Sequence, residues 1–115
     1  MNRGNKYNAR RVTIDGVTYD SQAESRRGVE LAMMEKGGAI SGLRVHPRYL
    51  IVDRFVHEGH VIRASYYEAD FEYIENGRRI VEDVKGVVTE VFGLKKKLFL
   101  LRYGATHELR IIKAR

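Results

Sequence analysis

The sequence predicts an α/β fold, with a central mixed β-sheet flanked by helices. Three observations carry this. Asp15-Gly16 and Asn76-Gly77 each join two alternating runs, and such pairs are the strongest short-range hairpin signal because both residues tolerate positive φ. The period changes from two to helical in two places, over residues 22–36 and again over residues 91–102. A last apolar run, ELRIIK at residues 108–113, follows the second helix, and a strand–helix–strand crossover normally runs right-handed and parallel.

In chain order, residues 1–11 are polar and basic, with Arg3, Lys6, Arg10 and Arg11, and read as a flexible basic arm. Residues 12–115 then form a single domain. Residues 12–19 are the first hairpin, VTI-DG-VTY. Ser21 with Glu24 three residues later is a capping-box pattern and opens a helix that runs to Lys36, where Gly37-Gly38 stops it. Ala23, Val29, Leu31, Ala32 and Met33 make this helix partly apolar, leaving Arg26, Arg27, Glu30 and Glu35 to solvent. Gly28 weakens it by up to about 1 kcal/mol relative to alanine.

A turn at Ser41-Gly42 precedes an extended segment to Val52, in which Pro47 removes a ladder donor and marks an edge strand or a bulge at His46-Pro47. Glu58-Gly59 is a further turn. Residues 64–74 read as one long strand that enters the central hairpin, residues 69–86. After Gly86, Val91, Leu94, Leu98 and Leu101 recur at helical spacing, with Phe92 and Phe99 widening the stripe. Tyr103-Gly104 ends that helix.

Composition narrows the chemistry. Among 115 residues, 43% are hydrophobic and 31% charged, so a packed core is affordable and disorder is disfavoured. No apolar run approaches the roughly 20 residues of a membrane span. The first eleven residues carry charge with no apolar segment behind them, unlike a secretory signal. This is the pattern of a cytoplasmic protein. Cysteine is absent, which excludes disulfides and thiolate metal sites. There is no P-loop and no G-x-S-x-G context. The net charge of +6 and pI of about 9.7 bias the chain towards polyanions, nucleic acid first.

The chemistry-bearing residues gather on the central hairpin. Asp70 lies between Ala69 and Phe71, and Asp83 and Lys85 are two apart on the next strand, hence on one face. Phosphodiester hydrolysis needs a nucleophile, charge stabilisation at the phosphate and help for the leaving oxygen, and a cation held by carboxylates serves several of these needs. Asp70 and Asp83 can hold Mg²⁺ with water completing its shell, and the Val84 carbonyl can add an oxygen. Lys85 can contact the phosphate or orient the attacking water.

Glu24 has two readings. It closes a capping box, or it turns towards the sheet as a further metal ligand. One residue serves both awkwardly, since a ligand would give up its backbone contact. Glu82 points to the opposite face from Asp83 and reads as secondary. His46, His57, His60 and His107 show no metal-ligand spacing and read as non-catalytic. Lys95, Lys96, Lys97 and Arg102, on the second helix, could neutralise DNA phosphates, as could Arg10 and Arg11; a solvated helix face is the simpler alternative for the former group.

The Asp70…Asp83-Val84-Lys85 pattern resembles the PD-(D/E)XK nuclease superfamily, the restriction-endonuclease-like fold. The segments KYNARRVTIDGVTYDSQAES, GAISGLRVHP, YYEADFEY and VEDVKG followed by LKKKLF look more closely like a family of small phage-encoded nucleases, and together they span most of the chain. The resemblance favours Glu24 as the helix carboxylate of the site. It implies a Mg²⁺-dependent endodeoxyribonuclease (Mn²⁺ substituting), acting as a homodimer on branched duplex DNA such as Holliday junctions, in the host cytoplasm if phage-encoded. One departure is His46, where relatives would be expected to carry Gln before the proline. The rival reading is a non-catalytic DNA-binding or assembly protein that retains the fold.

Overall fold

The computed structural model describes residues 10–114. Of the arm expected over residues 1–11, only Arg10 and Arg11 fall among the described residues, and both are exposed.

Three two-residue turns set the strand pairing. β1 (Val12–Ile14) and β2 (Val17–Tyr19) meet across Asp15-Gly16. In chain order there follow α1 (Gln22–Lys36), β3 (Ser41–Val45), β4 (Arg48–Val52), β5 (Phe55–His57), β6 (His60–Ile62), β7 (Ser65–Glu68), β8 (Phe71–Glu75), β9 (Arg78–Lys85), α2 (Glu90–Tyr103) and β10 (His107–Lys113). Glu58-Gly59 joins β5 to β6 and Asn76-Gly77 joins β8 to β9. All three turns have positive φ at both positions, the condition for a turn whose twist matches that of the flanking strands.

The main sheet has the order β10-β9-β8-β3. β9 is antiparallel to β8 and parallel to β10, as the crossover through α2 requires, so the sheet is mixed. Alternation along β9 sorts the two cores. Ile80 faces a cluster with Tyr19, Leu31, Phe71 and Tyr73 beneath α1, while Val81 faces Tyr49, Tyr67, Phe92 and Phe99 beneath α2. The helices thus lie on opposite faces of the sheet.

Several expectations need correction. The segment up to Val52 is two strands, because His46 adopts φ of 57° and Pro47 follows it. The strand expected over residues 64–74 is also two, broken at Ala69-Asp70. These breaks lie side by side: His46 N–H donates to the Asp70 carbonyl (2.9 Å) and Ala69 N–H to the Pro47 carbonyl (3.0 Å). Both chains therefore leave the main sheet together, and β4 pairs with β7 as a separate ribbon that ends in the β5–β6 hairpin. Ser41-Gly42 is no turn; Gly42 sits inside β3 at a register shift against β8, with φ of 63°.

The buried face of α1 is Glu24, Ser25, Gly28 and Leu31, while Val29 and Met33 are exposed. Gly28 is there for space: a Cβ at that position would lie 2.5 Å from the Tyr19 ring. α2 packs through Phe92, Leu98, Phe99 and Tyr103, whereas Val91, Leu94 and Leu101 of the expected stripe are exposed. The aromatic residues win this competition: Phe99 lies 5.0 Å from Tyr49 and 5.3 Å from Tyr67, centroid to centroid, both edge-on.

Candidate metal centre

The ribbon break creates the site. Asp70 sits in the bend just before β8, freed from strand geometry, although its N–H still donates to the Glu82 carbonyl at 3.0 Å. Its carboxylate Oδ2 accepts the Val84 N–H at 2.7 Å. Main-chain groups alternate sides along a strand: the Lys85 carbonyl accepts from Ala114 beyond β10, and the Glu82 carbonyl accepts from Asp70 on the β8 side. The Val84 carbonyl therefore faces the same side as its N–H, towards Asp70, past the last paired residue of β8.

Asp83 is buried on the α2 side of β9. Tyr67 donates its hydroxyl to Asp83 Oδ2, and Lys85 Nζ lies 3.2 Å from Oδ1. Burial, followed by the Asp83 charge, pushes the Tyr67 phenol up, so Tyr67 stays a donor. Lys85 also rests over the Phe92 ring, 4.4 Å from its centroid, at the rim of a 540 Å³ groove lined by Arg48, Tyr66, Thr89 and Lys95 among others. The Arg48 guanidinium stacks on Tyr66 at 4.3 Å.

Glu24 reaches this region from the first turn of α1. Ser21 Oγ accepts the Glu24 N–H at 3.1 Å, so the cap is real. The reciprocal bond goes to Asp20: Glu24 Oε2 accepts the Asp20 N–H at 3.1 Å. Oε1 is left for His46, whose Nε2 lies 2.6 Å away. Capping and an inward-facing oxygen therefore coexist, because the carboxylate divides them between its two atoms.

Negative charge is concentrated here. Burial, then Asp83, then Glu24 push the Asp70 carboxyl up to about 9, against the pull of the Val84 N–H. Burial also raises Glu24, with His46 acting in the opposite sense. Glu24 itself groups within 4.8 Å with Asp20 and His46, while its charge and that of Asp83 on β9 both act on Asp70 at the ribbon break, with Lys85 as the cation beside Asp83. A set of oxygen donors of this kind suits a hard divalent cation.

Glu82 differs from its neighbour in kind. It is fully buried on the α1 side, where Arg27 grips it through two bonds of 2.8 and 2.7 Å and Tyr73 donates to it. Arg27 is therefore not a solvent-facing residue, and Glu82 is a central structural group. Glu35 is exposed as expected, and its carboxylate accepts the Leu43 N–H at 2.8 Å.

On α2, Lys96 and Lys97 are exposed and Lys95 lines the groove. Arg102 is held by Asp53 at 2.8 Å and by the Leu50 carbonyl. Arg11 Nε lies 4.0 Å from Asp20. Spacing in the sequence missed Asp20, His46 and Tyr67. The usable signals were Asp20 one residue ahead of the cap, a histidine before the single proline, and a tyrosine three residues before Asp70.

The chain belongs to a family of proteins of unknown function, DUF1064, whose pattern matches residues 4–115. No curated protein and no solved structure matches it.

Proposed function

We propose that this chain is a metal-dependent endodeoxyribonuclease of the restriction-endonuclease-like kind that hydrolyses DNA phosphodiester bonds. The observation that carries the reading is the pairing of Asp70 with Asp83 beside Lys85, which lines a basic groove, with the Glu24 charge also acting on Asp70. A buried carboxyl group set beside other carboxylates, as Asp70 is, is costly to ionise without a cation to share.

The donor set fits Mg²⁺ or Mn²⁺: Asp70, Asp83 and Glu24 supply carboxylate oxygens and Val84 a carbonyl. When bound, such an ion supplies charge stabilisation at a phosphate and a more acidic water. The chain's own groups do the rest. The Val84 N–H fixes Asp70, and Tyr67 fixes Asp83. Lys85 is part-exposed and can shift from Asp83 to a phosphate oxygen. Lys95 and Arg48 extend positive charge along the groove, and Lys96 and Lys97 lie on the same helix. These contacts suit backbone and shape rather than base edges. Branched duplex DNA as substrate, and action as a homodimer, follow from the resemblance of the segments quoted above.

The test is a cleavage panel with Mg²⁺ over four-way junction, flap, linear duplex, single-stranded DNA and RNA. Asp83→Ala should abolish cleavage while junction binding persists, a loss of about three orders of magnitude or more. Failure of the wild type to cut any of these with either Mg²⁺ or Mn²⁺ overturns the enzyme reading and leaves a DNA-binding role.

A further inference from the structure

We infer that Asp20, Glu24 and His46 form a second cation site, one that selects a transition ion such as Co²⁺ or Zn²⁺ over Mg²⁺. One ligand atom from each of the three residues lies within 4.8 Å of the others. His46 Nε2 is 2.6 Å from Glu24 Oε1 and 4.0 Å from Asp20 Oδ2. An ion about 2.0–2.2 Å from each donor needs them roughly 3–3.5 Å apart, so side-chain movements on the order of an ångström suffice.

The arrangement is built rather than incidental. His46 is set by its positive φ, by its N–H bond to the Asp70 carbonyl and by buried Pro47 behind it. Glu24 is set by the Asp20 N–H on its other oxygen, which leaves Oε1 facing the imidazole. Asp20 turns Oδ1 to Arg11 and Oδ2 to His46. Glu24 is 3% exposed, while Asp20 and His46 are part-buried, so the position is reachable from solvent.

The donor chemistry decides the ion. Asp70, Asp83 and Val84 offer only oxygen, which suits Mg²⁺. An imidazole nitrogen with two carboxylates favours the later first-row ions. Three protein donors also leave coordination positions for water or a substrate oxygen. Glu24 stands between the two donor sets, since its charge is felt at Asp70. The placement beside a catalytic centre rests on the nuclease reading; the cation site itself does not.

The test uses protein without a histidine tag, titrated with Co²⁺ and followed by calorimetry and visible absorption, with Zn²⁺ as competitor. The absence of cysteine removes thiolate bands from the spectrum. His46→Gln, which keeps an N–H for Glu24 but loses the imidazole, and Asp20→Asn should each weaken Co²⁺ binding about tenfold or more. His60→Ala should retain it, as the control for the His57–His60 pair that faces across the β5–β6 turn.

Unchanged Co²⁺ affinity in His46→Gln, or loss in His60→Ala, overturns the proposal. Should His46→Gln fold poorly, ¹⁵N-histidine spectra of the wild type decide: Zn²⁺ must shift the His46 ring nitrogens, and shifts confined to other histidines overturn the site. A protein that cuts no nucleic acid yet binds Co²⁺ through His46 retains this site and loses only the nuclease reading. A Mg²⁺-active nuclease whose Co²⁺ binding ignores His46 does the reverse.

Discussion

Glu82 and Asp83 are neighbours on β9, both buried, and they face opposite sides of one sheet. On the α1 side, Glu82 is matched by a two-pronged Arg27 and a tyrosine. On the α2 side, Asp83 has a tyrosine and one part-exposed lysine, and it acts on Asp70, which also feels Glu24. Two buried carboxylates one residue apart thus end in different electrostatic states. One is matched by an arginine within the fold, and the other lies beside a carboxyl group, Asp70, that keeps a proton for want of a cation. Such a proton-holding group is where a metal ion has something to gain, and perturbed carboxyl groups of this type cluster at functional sites.

The largest expected effect breaks the matched side. Arg27→Ala leaves Glu82 buried and unpaired and should cost about 3–5 kcal/mol in urea unfolding. Replacing both partners, with Arg27→Met and Glu82→Leu, should recover most of that loss, because a buried ion pair contributes little net stability.

Next comes the Asp83 side. Asp70 holds its proton up to about pH 9 in the folded chain, whereas the unfolded chain releases it near pH 4. Folding therefore binds a proton between those values, and metal-free stability should fall as pH rises through that window, by at most about 1.4 kcal/mol per pH unit. Asp70→Asn should flatten the slope and raise stability at pH 8. Stabilisation by Mg²⁺ should grow with pH, since the ion competes with that proton. Thermal melts from pH 5 to 9, with and without Mg²⁺, check all three outcomes.

Smaller effects refine the contrast. Lys85→Ala should cost less than about 1 kcal/mol in stability, because the carboxyl groups around it can share a proton instead, and should act mainly on cleavage. Lys96→Ala combined with Lys97→Ala should leave the fold untouched and reduce the log–log salt slope of DNA binding by about 2. An unchanged slope would mean that these lysines are a solvated face only.

The hairpins were legible in the sequence because Asp-Gly, Glu-Gly and Asn-Gly act through their own backbones and need no distant partner. The parallel pairing of β10 with β9 was legible for a similar reason, since a short crossover leaves one workable hand. The stripe Val91-Leu94-Leu98-Leu101 misled, because periodicity measures apolar spacing and not which face meets an aromatic cluster. The long strand over residues 64–74 also misled. Nothing near Asp70 in sequence announces the break; it arises because His46-Pro47, paired opposite, bends the ribbon.

By itself the sequence determined the two helices, the turns, the Ser21 cap and the face shared by Asp83 and Lys85, all of which follow from local backbone preference and the two-residue period of a strand. Only the tertiary structure decided that Glu24 could cap and face inward at once, that Arg27 silences Glu82, and that His46 stands against Glu24 and Asp20. Those outcomes depend on the positions of atoms far apart in the chain, where burial and charge act through space, and residue spacing carries no record of them.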